Sequence, residues 1–247
     1  YYILYFEIKA AEMSDRNDEG RKWKLVIISI LIGIAAGIAL LYTEKDPPLT
    51  VTTDCGKVAG REVTAAGGMK IYEYNNIPYA TPPVGIRRWT PSVLLSEGEN
   101  TCWSGVYDAA NNDTIMCVQA EVDSKMLPTG NVAGSEDCLY LNIRTPQLDG
   151  NRPVIVWIHG GGLYMGVNNY PGYTADADFA EVMDVVAVNI NYRLGVLGFL
   201  SIEEIWNESE KTYGNYGFMD QVNALKWVQN NIANFGGDPN SVTIIGE

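Results

Sequence analysis

The chain has 247 residues, 47% hydrophobic and 19% charged, with a formal net charge of −13. Those proportions are ordinary for a globular protein, and the length suits one large domain or part of one. The acidity argues against a nucleic acid or an anionic lipid surface as partner. The single histidine, His159, leaves no complete Ser-His-acid triad within these residues.

The first residue is Tyr1, and Met13 opens a plausible reading frame, which leaves residues 1–12 open as part of the mature protein. Residues 1–24 read as a cytoplasmic tail ending in the cations Arg21, Lys22 and Lys24. Residues 25–42, Leu25 to Tyr42, then run without one charge. As a helix rising about 1.5 Å per residue they span roughly 27 Å, close to the hydrocarbon core of a bilayer. Trp23 and Tyr42 sit where interfacial aromatics belong. The competing reading is a cleaved signal peptide, whose apolar region is shorter, about 7 to 15 residues. With cations on the amino side and Glu44 and Asp46 beyond, the pattern predicts a signal anchor in a single-pass type II membrane protein. The remainder would then be extracellular or lumenal. Ser29, Gly33 and Gly37 recur every four residues, and Gly33-Ile-Ala-Ala-Gly37 is a spacing that lets two anchors pack closely as a homodimer. The plainer alternative is that glycine is simply frequent in membrane helices.

Residues 43–50, with Pro47-Pro48, read as a short stiff stalk. Val51 to Thr64 reads as a hairpin punctuated by Gly56 and Gly60, and Met69 to Tyr74 as a strand. Proline-rich coil follows from Pro78 to Pro91. Asn112-Asp113-Thr114 and Asn207-Glu208-Ser209 are glycosylation sequons, which matter only on the exported side of a membrane. Four cysteines are compatible with two bridges in such a location.

From Leu139 strands alternate with helices. Leu141–Arg144, Val154–Ile158, Val185–Ile190 and Val242–Ile245 are the strand candidates. Phe218, Val222, Leu225, Val228, Ile232 and Phe235 recur at helical spacing, and Gly236-Gly237 stops that helix. The alternation implies an α/β fold with a largely parallel sheet. Pro153 to Ile158 is a β-branched and aromatic run suited to burial on both faces. His159 and three glycines, Gly160 to Gly162, follow it directly. Such a turn brings bare N–H groups close to a ligand, at the strand end where open α/β sheets place their sites. It is also a known source of oxyanion donors. The bland reading is a glycine turn without chemistry. A nucleophile elbow reads Gly-x-Ser-x-Gly, and Gly246-Glu247 matches its start, with no serine following within the chain. Nothing in the sequence asks for a cofactor or a metal ion.

Five stretches, taken together, resemble the type B carboxylesterases, the family that includes cholinesterases and neuroligins. They are Ser135–Asn142 (Ser-Glu-Asp-Cys-Leu-Tyr-Leu-Asn), Trp157–Gly162, Asn191–Gly195, Gly214–Gln221, and Asn234–Pro239 leading into Val242–Glu247. The resemblance implies an α/β-hydrolase fold over residues 51–247, of which this chain would hold the amino-terminal part of the central sheet. It implies hydrolysis of a small carboxylic ester through an acyl-enzyme, with Gly161 and Gly162 as oxyanion donors and Gly160 shaping the turn. By this match His159 is not the catalytic base and holds the loop by hydrogen bonds. Cys117 pairs with Cys138 around an Ω-like loop at the gorge rim. Cys55 and Cys102 are left over, and their pairing rests on elimination alone. Arg193 and Asp220 resemble the family's buried structural ion pair. The loop from Val118 to Asp137 holds no aromatic residue to stack on a quaternary ammonium, so a choline ester is a poor substrate expectation. The whole protein would be an esterase, of which these residues form an inactive fragment. The alternative is an inactive adhesion or receptor ectodomain, as in neuroligins and neurotactin, with an extracellular protein partner.

Overall fold

The structure, a computed structural model, describes residues 46–99, 101–123, 127–206 and 211–247. The tail, the anchor over 25–42, the start of the stalk and the Asn207 sequon lie outside the described residues. Among those described, no helix is long and apolar enough to cross a membrane.

The chain begins with a hairpin of β1 (Thr50–Thr53) and β2 (Gly56–Ala59), and β2 also pairs in parallel with β5 (Val106–Asp108). The expected single hairpin over 51–64 is therefore divided. Its last strand, β3 (Arg61–Thr64), turns instead onto β4 (Lys70–Pro78) in the main sheet. That sheet is completed by β8 (Tyr140–Thr145), β9 (Arg152–Ile158), β10 (Val186–Ile190) and β11 (Gly237–Gly246), in the order β11-β9-β10-β8-β4-β3.

The sheet is mixed rather than largely parallel, which corrects the expectation from the strand–helix alternation. Only β10 and β11, both beside β9, run parallel to their neighbour. The pairs β10–β8, β4–β8 and β3–β4 are antiparallel. For β3–β4 the reason is connection length. Parallel neighbours need a crossover of about a dozen residues or more, whereas residues 65–69 between β3 and β4 permit only a reversal.

Two crossovers build the parallel half. The first carries α1 (Ala177–Met183), where the Asp176 side chain accepts from the Phe179 N–H at the helix start. The acids of α1 also reach across. Glu181 accepts from the Gly67 and Met69 N–H groups and Asp178 from that of Ala66, holding the β3–β4 turn. The second carries α2 (Gly195–Phe199) and α3 (Tyr216–Asn231), which tightens into a 3₁₀ turn over Ile232–Phe235. Gly236 ends it with φ +80°, and a Cβ there would meet the Gln147 carbonyl oxygen.

The apolar stripe read from the sequence is buried only in its second half, where Val228, Ile232 and Phe235 lie in the core with Leu225 packed against it. Phe218 is 46% and Val222 51% exposed, while Asp220, Asn223, Asn231 and Trp227 face inward. Three of the inward polar side chains are paired, Asp220 to Arg193, Asn223 to Ser92 and Asn231 to the Asp54 N–H, while the Trp227 indole N–H and the Tyr216 hydroxyl are buried without a partner among the described residues. Satisfied hydrogen bonds make the burial of those three tolerable. Above the sheet, Trp227, Val228, Ile232 and Phe235 pack on Ile143, Val154, Val156 and Val188. Each such side chain contributes about 1.5–3 kcal/mol on leaving water.

Two disulfides, Cys55–Cys102 and Cys117–Cys138, join distant loops. The loop between Cys117 and Cys138 is not a bare Ω-loop. It carries a hairpin of β6 (Gln119–Val122) and β7 (Pro128–Ala133).

Candidate active site

Strand β9 delivers His159 and the glycines at its carboxyl end. Gly161 has φ +103° and Gly162 φ +61°, conformations that L side chains rarely adopt. At Gly161 even a methyl group would lie 2.1 Å from the Met165 carbonyl oxygen. The Gly161 carbonyl accepts from the Tyr164 and Met165 N–H groups at 3.2 and 3.3 Å, closing the turn. Gly195 at the start of α2 donates to the Leu163 carbonyl at 2.8 Å. The N–H groups of Gly161 and Gly162 themselves donate to no described residue. Two adjacent, unengaged donors on a rigid turn suit an oxygen that gains negative charge.

His159 is buried, its ring stacked on Tyr192 with centroids 4.5 Å apart. Tyr192 donates its hydroxyl to the His159 carbonyl at 2.8 Å. Nδ1 of His159 lies 2.9 Å from the Gly160 carbonyl oxygen, and Nε2 is buried without a partner among the described residues. Burial pushes the imidazole pKa below its ordinary 6.5, against a smaller upward pull from that carbonyl. The ring is therefore neutral near pH 7 and packs as part of the turn.

The turn opens on a cleft of about 400 Å³ walled by Trp157, Gly160, Gly161, Met165, Tyr170 and Glu247, with Tyr173 beside them. Gly162 is not part of its wall. In the sheet register Gly246 of β11 stands opposite Ile158 of β9, so Glu247 arrives beside the glycine turn. A Cβ placed at Gly160 would lie 2.7 Å from a Glu247 carboxylate oxygen. The two motif ends read separately in the sequence thus meet across one parallel strand pair. Besides Trp157 and His159, the aromatic rings near this cleft come from Tyr170 and Tyr173, edge to face at 5.3 Å, and not from the disulfide loop.

Arg193 and Asp220 lie apart from the cleft. Nε and Nη2 of Arg193 each donate to Asp220 at 2.7 Å, and the Arg193 backbone N–H adds a third bond at 3.1 Å. Asn112 is exposed. Sequence reasoning missed Gln119, whose side chain bonds Gly166, and Asn191, whose Oδ1 accepts from the Asn168 N–H at 2.9 Å. Gln119 stands two residues after Cys117, but nothing in a sequence shows which backbone an amide will grip.

A glycine turn on a strand end, facing the end of the neighbouring parallel strand in a mixed sheet, is the architecture of an α/β-hydrolase. The chain belongs to the carboxylesterase family, whose model matches residues 47–247. It is 43% identical over 183 residues to the phenmedipham hydrolase of Pseudarthrobacter oxydans, covering 72% of this chain and 34% of that protein. It is 42% identical over 251 residues to the pyrethroid hydrolase Ces2e of Rattus norvegicus, covering 92% of this chain and 41% of the relative. A crystal structure of a Geobacillus stearothermophilus carboxylesterase superposes with a TM-score of 0.65 at 38% identity, over 80% of this chain and 38% of that one. The chain therefore spans between a third and about two-fifths of the length of these relatives.

Proposed function

We propose that these residues supply the oxyanion turn of a serine carboxylesterase acting on a small carboxylic ester. The observation that carries this reading is the pair of adjacent N–H groups of Gly161 and Gly162, which donate to no described residue, in the turn at the end of β9 where Gly161 lines the cleft. In the reaction a serine oxygen attacks the ester carbonyl carbon, and the carbonyl oxygen becomes an oxyanion held by these N–H groups. The alcohol leaves with a proton, and water then releases the acid from the acyl-enzyme. His159 does not act as the base, because its Nε2 is buried and its Nδ1 faces the Gly160 carbonyl. It is the only histidine of the 247 residues, so the base comes from outside them, and they form an inactive fragment of the esterase. Residues 25–42 would anchor the protein as a type II signal anchor, placing this domain on the extracellular or lumenal side. Asn112 and Asn207 would then carry glycans.

The test is ester turnover. The 247-residue polypeptide is expected to hydrolyse no p-nitrophenyl ester above background. Turnover by it that disappears on Gly161→Pro would overturn the assignment of roles. In the transcript, codons for Ser-x-Gly directly after Glu247 support the esterase. Any other residue in place of the serine replaces it with an inactive ectodomain of adhesive or receptor type.

A further inference from the structure

The glycine turn is gripped from the side by one residue of the disulfide loop. Oε1 of Gln119 accepts from the Gly166 N–H at 2.9 Å, and Nε2 of the same amide donates to the Gly166 carbonyl at 2.9 Å. Nε2 also donates to the Cys117 carbonyl at 3.0 Å. These three contacts determine the orientation of the amide. Flipped, it would set its oxygen against two carbonyls and its NH₂ against an N–H, losing every bond. Gln119 therefore satisfies both backbone groups of Gly166 at once, in the manner of a strand partner.

Gly166 is also the point where the turn has no slack. Its φ is +128°, and a Cβ there would lie 2.1 Å from Nδ1 of His159 and 2.6 Å from the Gly160 carbonyl oxygen. The Gly166 backbone thus abuts the imidazole and the first peptide of the glycine run. A shift of Gly166 is passed directly to the peptides of Gly160 to Gly162, within a turn already closed by the Tyr164 and Met165 N–H bonds to Gly161. The other side of the clamp is anchored. Cys117 is buried, bonded to Cys138, and bridged to Ser135. Two residues further on, Asn168 is held by Asn191, so the turn is tied down on both sides of Gly166.

We propose that Gln119 is a positioning residue for the oxyanion turn, setting the aim of the Gly161 and Gly162 N–H groups by clamping Gly166 to the Cys117–Cys138 loop. This rests on the esterase reading above. The oxyanion exists only as the tetrahedral intermediate forms, so a misaimed donor pair slows the chemical step and leaves ester binding nearly unchanged.

The experiment compares Gln119→Met, which keeps volume without the hydrogen bonds, with Gln119→Ala in the full-length protein. Turnover of p-nitrophenyl esters and hydrogen exchange of the backbone amides over 160–166 are both measured. The expectation is a fall in kcat of roughly 10- to 100-fold in both variants, with KM within about twofold. Exchange at Gly166 should quicken about tenfold or more while the β9 amides are unaffected. A methionine variant with wild-type kcat and wild-type exchange overturns the clamp, and a wild-type protein that still turns over ester leaves the esterase reading standing. Quickened exchange in the variants, together with a wild-type protein that hydrolyses no ester, upholds the clamp on Gly166 and sinks the esterase reading. Loss of kcat with unchanged exchange also overturns the proposal, since the turn was then not what moved.

Discussion

Asp220→Asn isolates what burial does to an ion pair, because a second pair in the same molecule has the same fork geometry in a wetter place. Arg193 and Asp220 have side chains 3% and 0% exposed, and Arg88 and Glu136 have side chains 38% and 24% exposed. Both arginines use Nε and Nη2 on the two carboxylate oxygens. Arg193 further donates Nη1 to the Thr90 carbonyl and lies over the Tyr216 ring. An asparagine at 220 keeps the shape but turns an NH₂ toward a guanidinium N–H, and leaves the guanidinium charge buried without a counter-charge. Breaking a buried pair in this way costs about 3–5 kcal/mol, whereas an exposed pair is worth about 0–1 kcal/mol. For a domain of this size each kcal/mol moves Tm by about 2–4 °C. Asp220→Asn should therefore lower Tm by roughly 6–20 °C, and Glu136→Gln by at most about 4 °C. Thermal unfolding followed by circular dichroism, with urea midpoints as a second measure, reads both. Losses that agree within about 1 kcal/mol would show that desolvation is not the term that separates the two pairs.

In the 247-residue polypeptide His159 gives a second test, since its lone histidine yields a single imidazole to follow by NMR. Its folded pKa lies below 6.5 because it is buried, so the unfolded chain binds the proton first. Its contribution to stability is full above about pH 6.5 and is lost progressively as pH falls from there through the lower folded pKa, by at most about 1.4 kcal/mol per pH unit. A midpoint at or above 6.5 would contradict the buried, neutral ring. For the disulfides, non-reducing peptide mapping should recover Cys55–Cys102 and Cys117–Cys138, and a peptide linking Cys117 to Cys55 would refute the loop arrangement. Replacing Cys117 and Cys138 together by alanine should destabilise by about 2–4 kcal/mol through the loop it opens.

Much of this molecule was written locally. The run from Pro153 to Ile158 is strand-forming by its own side chains, and the glycines after it are demanded by φ values observed at +103° and +61°. The helix stop at Gly236 has the same cause. Such features depend on residues adjacent in the chain, so periodicity and turn chemistry expose them, and motif order was enough to suggest the family. Other features depend on partners far along the chain. The antiparallel half of the sheet was decided by strand order and, for β3–β4 alone, by a short connection, not by strand composition. The inward face of α3 was decided by Arg193, Ser92 and Asp54, which pair with its polar residues and leave Phe218 and Val222 outside. The meeting of Glu247 with Gly160 needed the β9–β11 register. The grip of Gln119 on Gly166 spans 47 residues, and an amide shows no preference for one distant backbone until folding places it there. Local sequence carries conformational preference, but a buried polar group takes its partner from the tertiary structure, because its stability depends on which hydrogen bonds remain once water is gone.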